Sequence, residues 1–356
     1  MRVRLEEVCE KESSKLKQSD VIDQNGLYPV YGASGYLGNI NTYQQSNYYV
    51  AVVKDGAGIG RTMLLPPKSS IIGTMQYLIP KDNILPEYLY YVVKAKHLEK
   101  CFSGATIPHI YFKDYKNEQF DLVPFEEQRE IINRIKKIET IIDNLSKNLV
   151  LLDELVKARF VEMFGDVQEA KKYGGKQLKD ICNTVTGGTP STKHADYYNG
   201  TIPWISTVSL GPNYIDGTTA KAFITQEAVN NSSTKIIPSG SILFGTRVGV
   251  GKSSINQVEM CTNQDIVAII DLDESKYNKL YIKYVLDTYQ SYFNSIKKGA
   301  TILGISSDDL KNVYIPEATL YNQNRFEKFV QEIDKSRSRI QKSLEASQEL
   351  FDSLMQ

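Results

Sequence analysis

Apolar residues recur between positions 131 and 156 at alternating steps of four and three: Ile131, Ile135, Ile138, Ile142, Leu145, Leu149, Leu152 and Val156. A period of about 3.5 residues describes a helix that offers one continuous apolar stripe to a second helix. The spacing returns 195 residues later at Phe326, Val330, Ile333, Arg337, Ile340, Leu344, Ser347 and Phe351, where six of the eight positions are apolar. The same shift carries "SGATI" at Ser103 to Ile107 onto "KGATI" at Lys298 to Ile302. A chain that runs domain, long helix, domain, long helix predicts two heads on a paired helical spacer.

The first helix is predicted to start just after Pro124, with Glu126 and Glu127 at the positive end of its dipole, and to run to about Met163, with Gly165 as a stop. The second is predicted from about Asn322 to Leu354. An antiparallel pair with approximate two-fold symmetry is the simplest arrangement, and the polar seam positions Arg337 and Ser347 would fix register or meet a third chain. Within the heads, "YVAVVKDGAGIGR" at Tyr49 to Arg61 and "GSILFGTRVGVGK" at Gly240 to Lys252 read as strands turning through a glycine pair. "GTMQYLIP" from Gly73 then corresponds to "CTNQDIVAII" from Cys261, and the tyrosine-rich helix "LPEYLYYVVKA" to "NKLYIKYVLDT". The expected fold class is therefore mixed α/β: two small α/β heads, 1–124 and 166–316, joined by two long antiparallel helices, 125–165 and 317–356, that form a coiled coil in a pseudo-two-fold repeat. The second head carries about 22 additional residues, mostly before its glycine hairpin.

Composition fits two ordinary cores, since 41% of the 356 residues are hydrophobic. No apolar run approaches the roughly 18 residues of a membrane span, and residues 1–15 have charge but no apolar signal region, so a cytoplasmic address is expected. Four cysteines without C-x-x-C spacing and three histidines exclude a recognisable zinc module and argue against a disulfide framework. Charge is even: 14 basic against 13 acidic residues in 1–124, 7 against 8 in 125–165, 15 against 14 in 166–316 and 6 against 7 in 317–356. No segment is a basic arm, so nucleic-acid binding would need a local patch on each head, with help from partners. The 23 tyrosines suit wet interfaces and half-buried structural positions alike.

"GTRVGVGKS" at Gly245 to Ser253 approaches a phosphate-binding loop, but the first glycine of that motif would fall on Thr246. The corresponding "DGAGIGR" shares only the G-x-G-[KR] ending, which reads as a tight β-hairpin turn. No nucleophile elbow, zinc-binding H-E-x-x-H or methyltransferase N-P-P-[YF] motif occurs. Asp271, Asp273 and Glu274 cluster in a loop before a helix, where solvation accounts for them. What remains is chemistry suited to reading a DNA groove: loops dense in hydroxyls, amides, glycines and a few cations, "TGGTPSTKHADYYNG" at Thr186 to Gly200, "WISTVSL" at Trp204 to Leu210 and "YGASGYLGNINTYQQSNYY" at Tyr31 to Tyr49. Ordinary turns require the same residue types.

These segments resemble the specificity subunit of type I restriction-modification systems over essentially the whole chain. "TVTGGTPSTKHADYYNGTIPWIS" at Thr184 to Ser206 is similar to the opening of a target-recognition domain, and "VPFEEQREIINRI" at Val123 to Ile135 to the entry into a spacer helix. The resemblance implies a non-catalytic subunit whose two target-recognition domains each read half of a split sequence in double-stranded DNA, with spacer helices that dock methyltransferase subunits, two being expected, and in some systems restriction subunits. It implies no cofactor in this chain: S-adenosylmethionine, ATP and Mg would belong to the partners. Candidate DNA-binding residues, chosen by loop position and chemistry, are Thr189, Ser191, Thr192, Lys193, Ser206, Arg247, Lys252, Asn263 and Gln264 in the second head. Ser34, Tyr36, Lys54, Arg61, Gln76 and His109 are those in the first. The first head lacks the "GGTPST" opening, and three residues are added between Pro316 and Gln323 relative to Pro124 and Gln128, which unsettles the start of the second helix. The other class of reading is a two-headed coiled-coil scaffold that binds protein or carbohydrate and has no DNA role.

Overall fold

A computed structural model describes all residues except 23, 57, 103–107, 300–302 and 356, and leaves the Gln168 side chain undescribed. The "SGATI" motif and most of "KGATI" lie outside the described residues. The chain divides into two compact units, Met1–Asn148 with Ile340–Gln356, and Leu149–Arg339. Each unit thus takes part of both long helices, Phe125–Phe164 and Leu320–Met355.

The fold is mixed α/β, and the strand order repeats between the units. In the first, β2 (Cys9–Ser13), β5 (Tyr49–Val53), β6 (Thr62–Leu65) and β8 (Met75–Pro80) form an antiparallel sheet in the order β2-β8-β5-β6. In the second, β11 (Asn183–Thr186), β15 (Ile242–Gly245), β16 (Ser253–Asn256) and β18 (Ile266–Ile270) form β11-β18-β15-β16, with β13 (Tyr214–Ile215) added in parallel to β16. A second sheet repeats too. β3 (Tyr28–Gly32) pairs antiparallel with β4 (Gly35–Ile40) and parallel with β7 (Ser70–Ile71), just as β12 (Ile202–Ile205) pairs with β14 (Ala222–Ile224) and β17 (Cys261–Thr262). Short pairs, β1 (Arg2–Arg4) with β9 (Gln119–Asp121) and β10 (Lys176–Gln177) with β19 (Tyr314–Ile315), join the two ends of each head.

The apolar character of the strands explains the layering. Every residue of Tyr49–Val53 and Ile242–Gly245 is buried, because both faces of these central strands are covered. One face packs on the tyrosine-rich helix, Pro86–Ala95 in the first unit and Lys279–Thr288 in the second. That helix in turn meets a long helix. Ile132, Ile135, Ile138 and Phe351 share the first core, while Val156, Phe160, Phe326 and Val330 share the second. All sixteen positions of the two predicted seams are buried or half-buried. Arg337, the polar break in the second seam, reaches Asp153 on the first long helix at 2.6 Å and Asp334 at 3.8 Å, so its charge is paired.

The second long helix starts at Leu320, two residues earlier than expected. Thr319 sets the start: its carbonyl accepts from the Gln323 N–H at 3.1 Å and its hydroxyl from the Asn322 N–H at 3.3 Å. Phe125 and Leu320, like Gln128 and Gln323, differ by 195 residues, so the added residues are absorbed upstream of the helix.

Gln128 and Gln323 occupy equivalent, fully buried places. The Gln128 Oε1 accepts from the Leu85 N–H at 2.9 Å, and its Nε2 donates to the carbonyls of Val123 at 2.9 Å and Asn83 at 3.3 Å. The Gln323 Oε1 accepts from the Asn278 N–H at 2.7 Å, and its Nε2 donates to the carbonyls of Ala318 at 2.8 Å and Lys276 at 3.0 Å. Each glutamine therefore caps the tyrosine-rich helix and anchors it to the start of a long helix. Gln128→Leu keeps the volume but strands three part-buried backbone groups, and is expected to lower unfolding free energy by about 2 kcal/mol. Gln128→Glu is expected to cost at least as much, since an ionised carboxylate cannot donate. Urea unfolding checks both, and a loss below about 0.5 kcal/mol, the size of an ordinary surface substitution, would show that the amide is dispensable.

Candidate nucleic-acid interface

The loop after β11 approaches its neighbours closely. The Gly188 N–H donates to the Thr262 carbonyl at 2.8 Å, the Gly187 N–H to the Ile266 carbonyl at 3.1 Å, and the Trp204 Nε1–H to the Gly188 carbonyl at 3.0 Å. A Cβ on Gly187 would lie 2.1 Å from Thr262 Oγ1, so only glycine permits this approach. As a result, the exposed Thr189 hydroxyl donates to the Gln264 Oε1. The Asn263 N–H donates to the Ile205 carbonyl at 3.0 Å, which sets Asn263 beside the half-buried Ser206.

The 246–252 loop between β15 and β16 arrives at the same place. Thr246 donates twice to the Asp265 carbonyl, from its N–H at 2.8 Å and its hydroxyl at 3.0 Å. The Asp265 carboxylate then accepts from Asn263 Nδ2 and Arg247 Nη1, each at 3.4 Å. Thr189, Ser206, Arg247, Asn263 and Gln264 are thus brought together around residues 262–265. Ser191, Thr192 and Lys193 are exposed beyond Pro190, whose carbonyl accepts from the Tyr198 hydroxyl at 2.7 Å. Lys252 is exposed where the hairpin loop rejoins β16, and among the described residues its side chain takes no part in the bonds that hold this cluster. Asp265, the residue that connects Arg247 to Asn263, was missed in the sequence, although it directly follows the "TNQ" segment.

The glycine-pair reading holds in both heads. The Arg61 N–H donates to Gly58 at 3.1 Å, the Gly60 N–H to Val53 at 2.9 Å and the Val53 N–H to Arg61 at 2.9 Å. The same three bonds recur at Lys252 to Gly249 (3.0 Å), Gly251 to Gly245 (3.1 Å) and Gly245 to Lys252 (2.9 Å). Gly60 and Gly251 have φ of 80° and 87°, the left-handed conformation such a turn demands. The amides close the hairpin rather than converge on an anion. The turn nevertheless ends loops of residues 54–61 and 246–252, longer than the tight turn expected, because both loops reach across to the segment that precedes the long helix.

In the first head, Ser34 and Tyr36 are exposed at the β3–β4 turn, and Arg61 joins them through a 2.9 Å bond from its Nη1 to the Ala33 carbonyl. Lys54 lies 3.8 Å from Asp55, which forms a backbone bridge with His109, whose ring is 5.1 Å from that of Tyr111. Gln76 does not sit on an exposed loop. It is buried in β8, with its Nε2 donating to the Glu12 carbonyl and, at 3.4 Å, to the Tyr77 carbonyl. Gln76 and Lys54 meet in a cleft of about 400 Å³ lined also by Lys11, Ser13, Tyr111, Phe112 and Lys113. Lys11 and Lys113 form no ion pair among the described residues, leaving a cationic concavity that loop composition did not reveal.

The remaining chemistry is structural. Burial pushes the Cys9 and Cys182 thiols up to about 12 and the Cys261 thiol to about 11, which disfavours the nucleophilic thiolate. Bonds from Lys276 and Ser275 hold the Asp273 carboxyl down at about 2, so the acidic loop before the Lys279–Thr288 helix is a self-capped turn. Among the described residues no group of three or more His, Cys, Asp or Glu is placed to hold a metal ion. No helix among them is long and apolar enough to cross a membrane.

The family model described as the type I restriction modification DNA specificity domain matches residues 1–152 and again 171–348. The chain is 35% identical over 147 residues to the type I restriction enzyme MjaIX specificity subunit of Methanocaldococcus jannaschii, covering 41% of this chain and 34% of that one. It is 31% identical over 169 residues to the EcoR124I/EcoR124II specificity subunit of Escherichia coli, covering 45% and 40%. The matched stretches therefore span well under half the length of these relatives. The fold is similar to that of a type I restriction-modification system S subunit from M. genitalium, with a TM-score of 0.58 at 15% identity, covering 100% of this chain and 94% of that chain. With one family-model match on each head, together spanning most of the sequence, the chain belongs to the type I restriction modification DNA specificity domain family.

Proposed function

We propose that this chain is the specificity subunit of a type I restriction-modification assembly, reading a split target in double-stranded DNA and carrying no catalytic step itself. Each head reads one half-site, with the domains divided as 1–124, 125–165, 166–316 and 317–356. The two long helices pair as an antiparallel coiled coil, relate the heads by an approximate two-fold axis and dock two methyltransferase subunits. Those partners supply S-adenosylmethionine chemistry, and restriction subunits, where present, supply ATP- and Mg-dependent cleavage. Supporting the antiparallel pairing, Phe160 meets Phe326 at a ring separation of 5.3 Å while Asp153 meets Arg337, so one helix descends as the other rises.

The observation that carries this reading is the repeated head: one strand order and one glutamine anchor used twice, with different polar residues on the loops. Two unlike readers on one scaffold suit a target with two unlike halves. Sequence is read at base edges and position is set by phosphates, so both hydrogen-bonding clusters and cations are required. The second head offers the first in Thr189, Ser206, Arg247, Asn263 and Gln264, and the first head offers the second in Lys11, Lys54 and Lys113. The near-zero net charge makes binding dependent on the partner.

Fluorescence anisotropy with duplex DNA, with and without a co-expressed methyltransferase subunit, is expected to show sequence-dependent binding when the partner is present. Sequence-independent or absent binding in both conditions would favour the protein- or carbohydrate-binding scaffold instead. Replacing Lys11, Lys54 or Lys113 singly by Gln is expected to weaken binding to all sequences alike. Each change should also reduce the slope of log K against log salt by about 1, and an unchanged slope would remove the cleft from the DNA path.

A further inference from the structure

We propose that Asp265 is a positioning residue that holds the Arg247 guanidinium to read one guanine in the half-site of the second head. The inference rests on the DNA-specificity reading and adds to it a base identity and a residue that loop chemistry did not select.

Asp265 is built into the head more firmly than Arg247. Its side chain is 15% exposed against 53% for Arg247. Its carbonyl takes both bonds from Thr246, which fixes the start of the hairpin loop, and its carboxylate faces Arg247 on Oδ1 and Asn263 on Oδ2. Among the described residues, the Arg247 side chain donates to Asp265 Oδ1 through Nη1. The guanidinium presents five N–H donors in a planar fork, so the others remain available to a ligand. The stem of Arg247 lies against Gly304, where a Cβ would come within 2.8 Å of Arg247 Cγ. Val248 and Leu303, the next residues along each segment, are 51% and 58% exposed. A donor fork is thus bonded on one side by a carboxylate, with exposed apolar side chains next to Arg247 and next to its neighbour Gly304.

The carboxylate decides between the two usual partners of an exposed arginine. A phosphate would approach with a full negative charge and meet repulsion from Asp265. The guanine edge offers two neutral acceptors, O6 and N7, spaced for bidentate pairing with arginine, and the carboxylate steers the fork without opposing it. Among uncharged base edges in the major groove, guanine alone presents two acceptors and no donor.

The first head supplies the comparison. There the Lys54 N–H donates to the Thr74 carbonyl at 3.0 Å and the Ile110 N–H to the Lys54 carbonyl at 2.9 Å, matching Thr246 to Asp265 at 2.8 Å and Ile305 to Thr246 at 2.8 Å. With the backbone aligned in this way, Asp55 stands where Arg247 stands and Thr74 where Asp265 stands. The frame is the same, but the loop position changes from Asp55 to Arg247 and the strand-side position from neutral Thr74 to Asp265. An Arg–Asp pair needed merely to hold the hairpin would be needed in both heads, but only the second has it.

The test measures binding of the chain, assembled with its methyltransferase subunit, to duplexes randomised one base pair at a time across the target. Wild type is expected to require a G·C pair at one position of one half-site. Arg247→Ala and Arg247→Lys should cut that preference by about tenfold or more. Asp265→Asn, which keeps the shape and the backbone bonds, should weaken preference at the same position by several-fold, and Asp265→Glu should restore part of it. Preferences in the other half-site should stay unchanged in every variant, which also reports that the variants are folded. A uniform loss over all sequences in Arg247→Ala, preference unaltered in Asp265→Asn, or an effect at a pair other than G·C would overturn the proposal while leaving the DNA reading intact. A wild-type assembly with no sequence preference would overturn both.

Discussion

Gln128 and Gln323 each bring one buried amide to a point where three backbone groups from two segments would otherwise be orphaned. The amide is the one uncharged side chain group that accepts on one side and donates twice on the other, so the arrangement allows little substitution. Its consequence is geometric. The residue that caps the tyrosine-rich helix, the strand-to-helix connection before it and the first turn of the long helix are held as one piece. The sheet packs on that helix, and the hairpin loops spring from that sheet. Where a hairpin loop points is therefore decided by how a long helix begins.

Above this foundation the heads share what packs and differ in what faces solvent. The four-strand order, the parallel addition of β7 or β17, and the glycine-closed hairpin are common to both. Equivalent loop positions on the same frame carry Asp55 in one head and Arg247 in the other, a lysine-lined cleft in one and a threonine–asparagine–glutamine cluster in the other. Packing tolerates few changes because each alters volume or leaves a polar group unpaired. Exposed loop residues carry no such penalty, so specificity can change there at little cost in stability.

Much of the frame was legible in the sequence because long-range periodicity survives without tertiary knowledge. The 4-3 spacing located both long helices, and comparison of the two glycine segments excluded a phosphate loop. The second helix start was misplaced because Pro316 was taken as the counterpart of Pro124, whereas Thr319 makes the cap. The 195-residue shift from Gln128 to Gln323 already contained the answer. Gln76 was read as a loop donor because composition cannot distinguish a polar residue on a loop from one whose amide is consumed between strands. Asp265, Lys11 and Lys113 escaped notice for the complementary reason: their importance comes from neighbours distant in sequence, Arg247 for the first and Lys54 for the others.

The central claim is that one scaffold carries two independent readers of a single split target. Mapping methylated bases across the genome of cells that express this chain with the proposed methyltransferase subunit tests it most directly. The account predicts one motif in two unlike parts separated by a gap of fixed length. It further predicts that exchanging the hairpin and "TGGTPST" loops of the second head rewrites one part and leaves the other, and the gap, unchanged. A contiguous motif, or loop exchanges that alter both parts together, would contradict it.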